Sequence, residues 1–242
     1  MNNITAQTIV GELVASDYNT ASIFQSYGID FCCKGNKTID EACANQKVDV
    51  SNLLNALQQA TEKSDEKAID YNSWPLDLLA DYIEKKHHRY VEMKTREIKP
   101  FLNKIVSVHG LRHPELEEVQ QLFDESAGEL AMHMKKEELI LFPFIRKMVA
   151  AANNSNDLTA PRFGTVQNPI TAMLHEHDAE GDRFARIAAL TQNYTPPVDA
   201  CNTYRVTLAM LKEFEEDLHL HIHLENNILF PKSIAMEEQM LH

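Results

Sequence analysis

A chain of 242 residues can fold as one large domain or as a small domain joined to a medium one. Its composition, 44% hydrophobic and 24% charged, excludes an intrinsically disordered protein, and seven glycines are too few for a loop-rich all-β chain. The formal net charge of −13 repels phosphate backbones and anionic lipid, so neither nucleic acid nor a membrane is an expected partner; a protein with a basic face remains open.

The opening residues, Met-Asn-Asn-Ile-Thr, lack a basic region followed by an apolar run, so no secretory leader is expected. No segment approaches the length of a membrane span. Four cysteines in a chain this long do not make a disulfide framework, and the adjacent Cys32 and Cys33 could bridge each other only with strain. The expected compartment is the reducing cytoplasm.

In chain order, residues 1–62 read as a small domain of three or four short helices. Asp17 to Thr20 precedes Ala-Ser-Ile-Phe-Gln, and Thr38-Ile-Asp-Glu41 is a capping box that opens another helix. Between them Tyr27-Gly-Ile-Asp-Phe-Cys-Cys-Lys-Gly-Asn36 reads as a compact turn carrying the two adjacent thiols. Residues 63–75, which start in a charged run and end at Trp74-Pro75, read as a linker. Beyond it the pattern predicts four long helices, roughly 76–109, 114–150, 168–192 and 198–238, rich in good helix formers. The breaks between them hold Gly110, then Asn153-Asn-Ser-Asn-Asp with Pro161 and Gly164, then Thr195-Pro-Pro197. Connections this short favour an up-down four-helix bundle over 76–242. No segment alternates with period two, so the expected fold class is all-α.

The second and fourth helices carry a near-repeat. One reads His133-Met-Lys-Lys-Glu137-Glu-Leu-Ile-Leu-Phe-Pro143, the other His221-Ile-His-Leu-Glu225-Asn-Asn-Ile-Leu-Phe-Pro231. Residues at i and i+4 share one helix face, so each segment aims an imidazole and a carboxylate the same way. The third helix offers His175-Glu-His177-Asp, and the first offers His87-His88. His88 precedes His133 by 45 residues and His177 precedes His221 by 44, so the bundle reads as a duplicated helix hairpin. Each half would give two His and one Glu, with Glu137 and Glu225 bridging a pair of metals. Neutral imidazole and carboxylate favour iron, manganese or zinc over copper(I).

Plainer readings compete at single positions. An isolated His-x-x-x-Glu is common on helices, and Leu-Phe-Pro reads most simply as core packing followed by a helix stop. His87 and His88 lie about 100° apart on a helix, and periodicity leaves both open as the ligand. His219 and His223 read as surface residues or as residues behind the ligands, and His175 as lying outside the ligand set. Glu138 should face solvent or the helix flank. Cys43 and Cys201 read as packing residues.

Asp30-Phe-Cys-Cys-x-Gly in a small helical domain, followed by His133-Met-x-Lys-Glu137-Glu, Glu176-His177-Asp178 and His221-Ile-x-Leu-Glu225-Asn-Asn-x-Leu-Phe-Pro231, resembles the repair-of-iron-centres family. These are iron–sulfur cluster repair proteins with a hemerythrin-like domain, and the resemblance covers nearly the whole chain. It implies a non-haem di-iron site of two iron ions held by His88, His133, Glu137, His177, His221 and Glu225. It also chooses His88 over His87. One departure is Lys34, where the family has Gly after the Cys pair; Gly35 follows.

Function follows from the resemblance as an expectation. The protein would help restore clusters damaged by nitric oxide or oxidants, either by passing iron to damaged iron–sulfur proteins or by handling NO or O₂ at the metals, with reduction of NO a further possibility. Cys32 and Cys33 would accept NO, pass electrons or receive departing iron. The resemblance also implies a homodimer. The rival reading is a hemerythrin-like module that binds or senses O₂ or NO without turnover.

Overall fold

The structure, a computed structural model, describes residues 4–63, 69–154 and 161–241. It is all-α; among the described residues the sole β pairing is an isolated antiparallel bridge between Ile9 and Thr38. Its contacts divide the chain into two compact units, residues 1–79 with 222–242, and residues 80–221.

The first unit contains α1 (Val10–Ser16), α2 (Asn19–Ser26), α3 (Ile39–Gln46) and α4 (Val50–Lys63). Asp17 accepts from the Asn19 backbone N–H at the start of α2, and Gly28 ends that helix in the left-handed region at φ 69°. The capping box at Thr38 forms as its spacing predicts: Thr38 accepts from the Glu41 N–H, and Glu41 accepts in return. Val10, Phe24, Ile39, Cys43, Leu53 and Leu57 are fully buried and make the core of this unit. Part of the expected linker, 64–68, lies outside the described residues. After it Asp70 caps a 3₁₀ turn at Tyr71–Ser73.

Four long helices follow, and three of them share one irregularity. The first is α5 (Leu76–Tyr82) and α6 (Arg89–His109), joined by a π-helical turn at Ile83–His88. The second is α7 (Glu115–Lys136) and α8 (Phe142–Asn154), joined by a π turn at Glu137–Leu141. The third, α9 (Gln167–Leu190), is regular throughout. The fourth is α10 (Asn202–Leu224) and α11 (Phe230–Leu241), joined by a π turn at Glu225–Leu229. Boundaries agree with the sequence to within a few residues. The reading of Leu-Phe-Pro as a helix stop is corrected, since both helices run on through Pro143 and Pro231. The reason is local. Proline in a helix clashes with the carbonyl four residues back, here Leu139 or Asn227, and both lie in a widened turn.

In the second unit α6 packs on α7 and α7 on α9. Phe123 and Phe184 both meet Phe214, at centroid distances of 5.3 and 5.5 Å, with Ile98, Ile105, Val119 and Ile187 fully buried. The division between the units at 221/222 falls inside one unbroken helix, so His221 and Glu225 keep the one-turn spacing of a helix. Cys201 is exposed, which corrects its reading as a packing residue; it lies just before α10 rather than inside it. Cys43 is buried as read.

Candidate metal centre

All six ligand candidates are buried: His88 and Glu137 fully, Glu225 fully, and His133, His177 and His221 to within 3%. Their ligand atoms form two groups that could each hold a metal ion. One comprises His88, Glu137, His221 and Glu225; the other comprises His133, Glu137, His177 and Glu225, with all ligand atoms of a group within 4.8 Å of one another. Glu137 and Glu225 belong to both. Two carboxylates sunk this deep need compensating positive charge, because uncompensated burial costs several kcal/mol per ion. Neutral imidazoles do not supply it; metal cations do. The donor set therefore fits a hard-to-borderline metal pair.

The ligating segments and the π turns coincide. His88 ends the first π turn, Glu137 begins the second and Glu225 begins the third. A π turn aims one residue where an α-helix would not, and such turns are found mostly at functional sites. Glu137 Oε2 lies 3.3 Å from both His88 Nε2 and His133 Nε2. His177 Nε2 lies 3.0 Å from His133 Nε2, so these two rings turn their Nε2 atoms toward one place.

Carboxylates behind the rings decide which nitrogen faces inward. Glu138 Oε1 is 3.1 Å from His88 Nδ1, and Glu176 Oε2 is 2.8 Å from His133 Nδ1. The His133 hydrogen bond, reinforced by Lys136, draws the Glu176 carboxyl down to about 2. Burial resists ionisation of Glu138, but hydrogen bonds from Lys135 and His88 outweigh it and its pKa is lowered. Both groups are thus carboxylates and accept, so each Nδ1 carries the proton and each Nε2 keeps its lone pair for a metal. Glu138 is therefore half-buried and engaged, where the sequence placed it on solvent or flank. The choice between neighbours is also resolved in space. His87 is turned away from both groups; its Nδ1 meets Asp217 at 3.0 Å and its ring stacks on His221 at 5.6 Å. His175 is exposed.

A cavity of about 450 Å³ reaches His133 and His177 from the side. Asp124, Glu125, Glu129, Glu176 and Glu180 line it, a strongly acidic wall.

In the first unit the thiols lie in the turn predicted for them. Asp30 Oδ1 accepts from the Cys32 and Cys33 backbone N–H groups, at 3.1 and 2.9 Å, and from the Cys32 thiol at 3.3 Å. The two sulfurs are 3.7 Å apart as free thiols. The Cys33 hydrogen bond, burial and the negative charge of its neighbours push the Cys32 thiol pKa well up. These three residues also form a group that could hold a metal ion. Asn226 donates to the Cys32 carbonyl at 3.1 Å, and Asn227 to the Phe31 carbonyl at 3.2 Å. The Cys turn is thereby tied to the π turn that begins at Glu225. His223, read as a surface residue or one behind the ligands, is buried in this unit among Tyr18, Phe31 and Asn227. Burial pushes its pKa down to about 3, so it is neutral. Lys34 is not among the residues with positive φ, so nothing in the backbone there requires glycine.

These features define a helical protein with a buried imidazole–carboxylate centre for metal cations. Residues 79–233 match the hemerythrin HHE cation binding domain, and residues 6–61 match the ScdA_N domain, described as a domain of unknown function. Among its relatives are the iron-sulfur cluster repair protein ScdA of Staphylococcus haemolyticus, 32% identical over 95% of this chain and 99% of the relative. Another is the iron-sulfur cluster repair protein YtfE of Musicola paradisiaca, 33% identical over 94% and 96%. YtfE of Yersinia pseudotuberculosis is 32% identical over 94% and 97%. The chain belongs to the ScdA/YtfE family, the repair-of-iron-centres family that its motifs resemble. Among the described residues no helix is long and apolar enough to cross a membrane.

Proposed function

We propose that the protein repairs iron–sulfur clusters damaged by nitrosative or oxidative stress, and that it works through two iron ions held by His88, His133, Glu137, His177, His221 and Glu225. The relatives' names support repair. The observation that carries the metal reading is the pair of four-residue groups sharing Glu137 and Glu225. Two ferrous ions in this set would supply one-electron chemistry and open positions for small ligands such as NO or O₂. Glu138 and Glu176 hold the imidazole protons on the outer nitrogens, and the six buried side chains keep bulk water from the centre.

Iron is also the cargo in this reading. The acidic cavity beside His133 and His177 suits the passage of a cation toward a damaged cluster protein. Cys32 and Cys33 act as the thiol partners, receiving iron or NO at a turn tied to the helix that carries Glu225. In domain terms, 1–62 bears the thiols, 63–75 links and 76–242 holds the metals.

The test combines metal content with transfer. Protein reconstituted with ferrous iron should hold about two irons per chain, and Glu137→Ala or Glu225→Ala should lose most of this iron. Mixed with an apo-cluster acceptor, the loaded protein should restore acceptor activity. Iron that stays bound while the acceptor remains inactive would defeat the donation reading. Release of N₂O from the ferrous protein and NO would add turnover of NO to the function.

A further inference from the structure

Cys201 lies in the connection between α9 and α10, away in sequence from every ligand candidate, and the repair reading makes no use of it. Its sulfur is exposed, and it is the thiol of a pair: Cys201 Sγ is 3.1 Å from His109 Nε2. His109 closes α6 and is 4% exposed. Its Nδ1 is buried and makes no hydrogen bond among the described residues, so the thiol is the ring's only hydrogen-bond partner. Tyr204 and His113 pack against the imidazole at centroid distances of 5.3 and 6.4 Å and fix its orientation.

Two further features suit a nucleophilic sulfur. Cys201 directly precedes α10, and its carbonyl accepts from the Arg205 N–H, the first backbone bond of that 23-residue helix. The sulfur therefore stands at the positive end of the helix dipole, where a thiolate is stabilised. The nearby carboxylates are already engaged. Asp199 is held by Arg112 at 3.1 Å and by His113 at 3.0 Å, while the other nitrogen of His113 meets Glu115 at 3.1 Å. Their charge is partly neutralised and opposes a thiolate less than bare acids would. A cysteine that only filled space would be buried; a cysteine that only capped a helix would not need an aligned imidazole.

We propose that Cys201 is a reactive thiol that exchanges with low-molecular-weight disulfides, with His109 as its base. The Cys201 proton passes to His109 Nε2 as Sγ attacks one sulfur of the disulfide. A new Sγ–S bond forms, the old S–S bond breaks, and the departing thiolate takes the proton from the imidazolium. One disulfide replaces another, so no further oxidant is needed. The product is a mixed disulfide on the exposed connection, a modification site separate from the Cys32–Cys33 turn. Cys32 and Cys43 should lag behind, since both are buried and their thiol pKa values are raised, that of Cys32 by the Cys33 hydrogen bond first and that of Cys43 by burial first.

The test is peptide-level mass spectrometry of the full iron-loaded chain during exposure to glutathione disulfide. Cys201 is expected to gain the glutathione adduct at least tenfold faster in the folded protein than in the same chain unfolded in urea. His109→Gln should slow the folded reaction at least tenfold, with helix content by circular dichroism and iron content unchanged. His113→Gln, at the same end of the bundle but not touching the sulfur, should stay within twofold of the natural protein. If His109→Gln does not fold, the comparison of folded with unfolded natural chain decides alone. A folded rate no greater than the unfolded one, or a folded His109→Gln variant that reacts as fast as the natural protein, would overturn the proposal. Failure of cluster repair would leave this result untouched, because the readout is the adduct itself.

Discussion

Glu138 and Glu176 show how much of a metal centre lies behind its ligands. Each accepts from the Nδ1 of one imidazole and is itself held by a lysine, so the rings of His88 and His133 are fixed in tautomer and in angle. Removing such a partner from a metal-binding histidine weakens binding by roughly 10–100-fold. We expect Glu138→Ala and Glu176→Ala each to lower iron affinity by about that factor, measured by competition with a chromogenic chelator, while helix content holds. Affinity equal to that of the natural protein would show the rings to be set by packing alone. Of the residues at the centre, the sequence made His133, Glu137, His221 and Glu225 legible because they repeat at one helical turn. His87 and His88 were not separable by period, since neighbours on a helix can both be buried, and here both are. Glu138 was hidden for the same reason: it stands on the flank of the ligand face, where the position of α6 decides its partner. Nothing in the pattern around His223 signalled burial, because the Phe31 and Tyr18 rings that cover it come from the far end of the chain.

At the scale of elements, the lengths and breaks of the long helices were readable because proline, glycine and polar runs mark them. The π turns were not. Helical periodicity carries no signature of a single inserted residue, and Pro143 and Pro231 read as stops because an ordinary helix would have ended there. In the first unit one contact is unusually close. A Cβ at Gly35 would sit 2.4 Å from the Phe31 carbonyl oxygen and 3.0 Å from Asn227 Oδ1, and one at Gly11 would sit 2.2 Å from the same Oδ1. The backbones of α1 and the Cys turn thus close around Asn227, and both need to lack a side chain. Gly35→Ala should destabilise this unit by about 1–3 kcal/mol through overpacking, read as a lowered midpoint in chemical denaturation. Lys34→Gly, at a position with no positive φ, should bring no gain in stability. A Gly35→Ala variant as stable as its parent would mean that the turn can move away from Asn227 without cost.

At the scale of the whole molecule, one buried acid gives stability a pH dependence of its own. Burial raises Glu215 from its ordinary 4.5 to about 7, against the opposing influence of the Tyr194 hydroxyl. In the fold Glu215 keeps its proton up to about pH 7, whereas in the unfolded chain it gives it up near 4.5. Its stabilising contribution is therefore complete below the unfolded value and declines as pH rises to about 7, then levels off. The decline amounts to roughly 3 kcal/mol at about 1.4 kcal/mol per unit. Glu215→Gln should remove it, so that stability measured by urea unfolding at pH 5 and pH 8 differs less in the variant than in its parent. An equal difference in both would assign the pH dependence to other groups. The all-α class and the long-helix plan were legible from composition and breaks alone. The contact units were not. The sequence assigns everything after 75 to one bundle, while the contacts group 222–242 with the first 79 residues, because the Asn226 and Asn227 amides tie that helix end to the Cys turn.

The three π turns bear on how such a centre lets go. A wider turn has poorer hydrogen-bond geometry than the α-helix on either side of it, and relaxing to the regular form would carry His88, Glu137 or Glu225 off target. Each helix is thus a spring held slightly open at its ligand, and whatever the centre grips must work against three of them. A rigid cage of the same donors would keep its cation. This one is built with a standing bias toward surrender, the temperament of a lender rather than a vault.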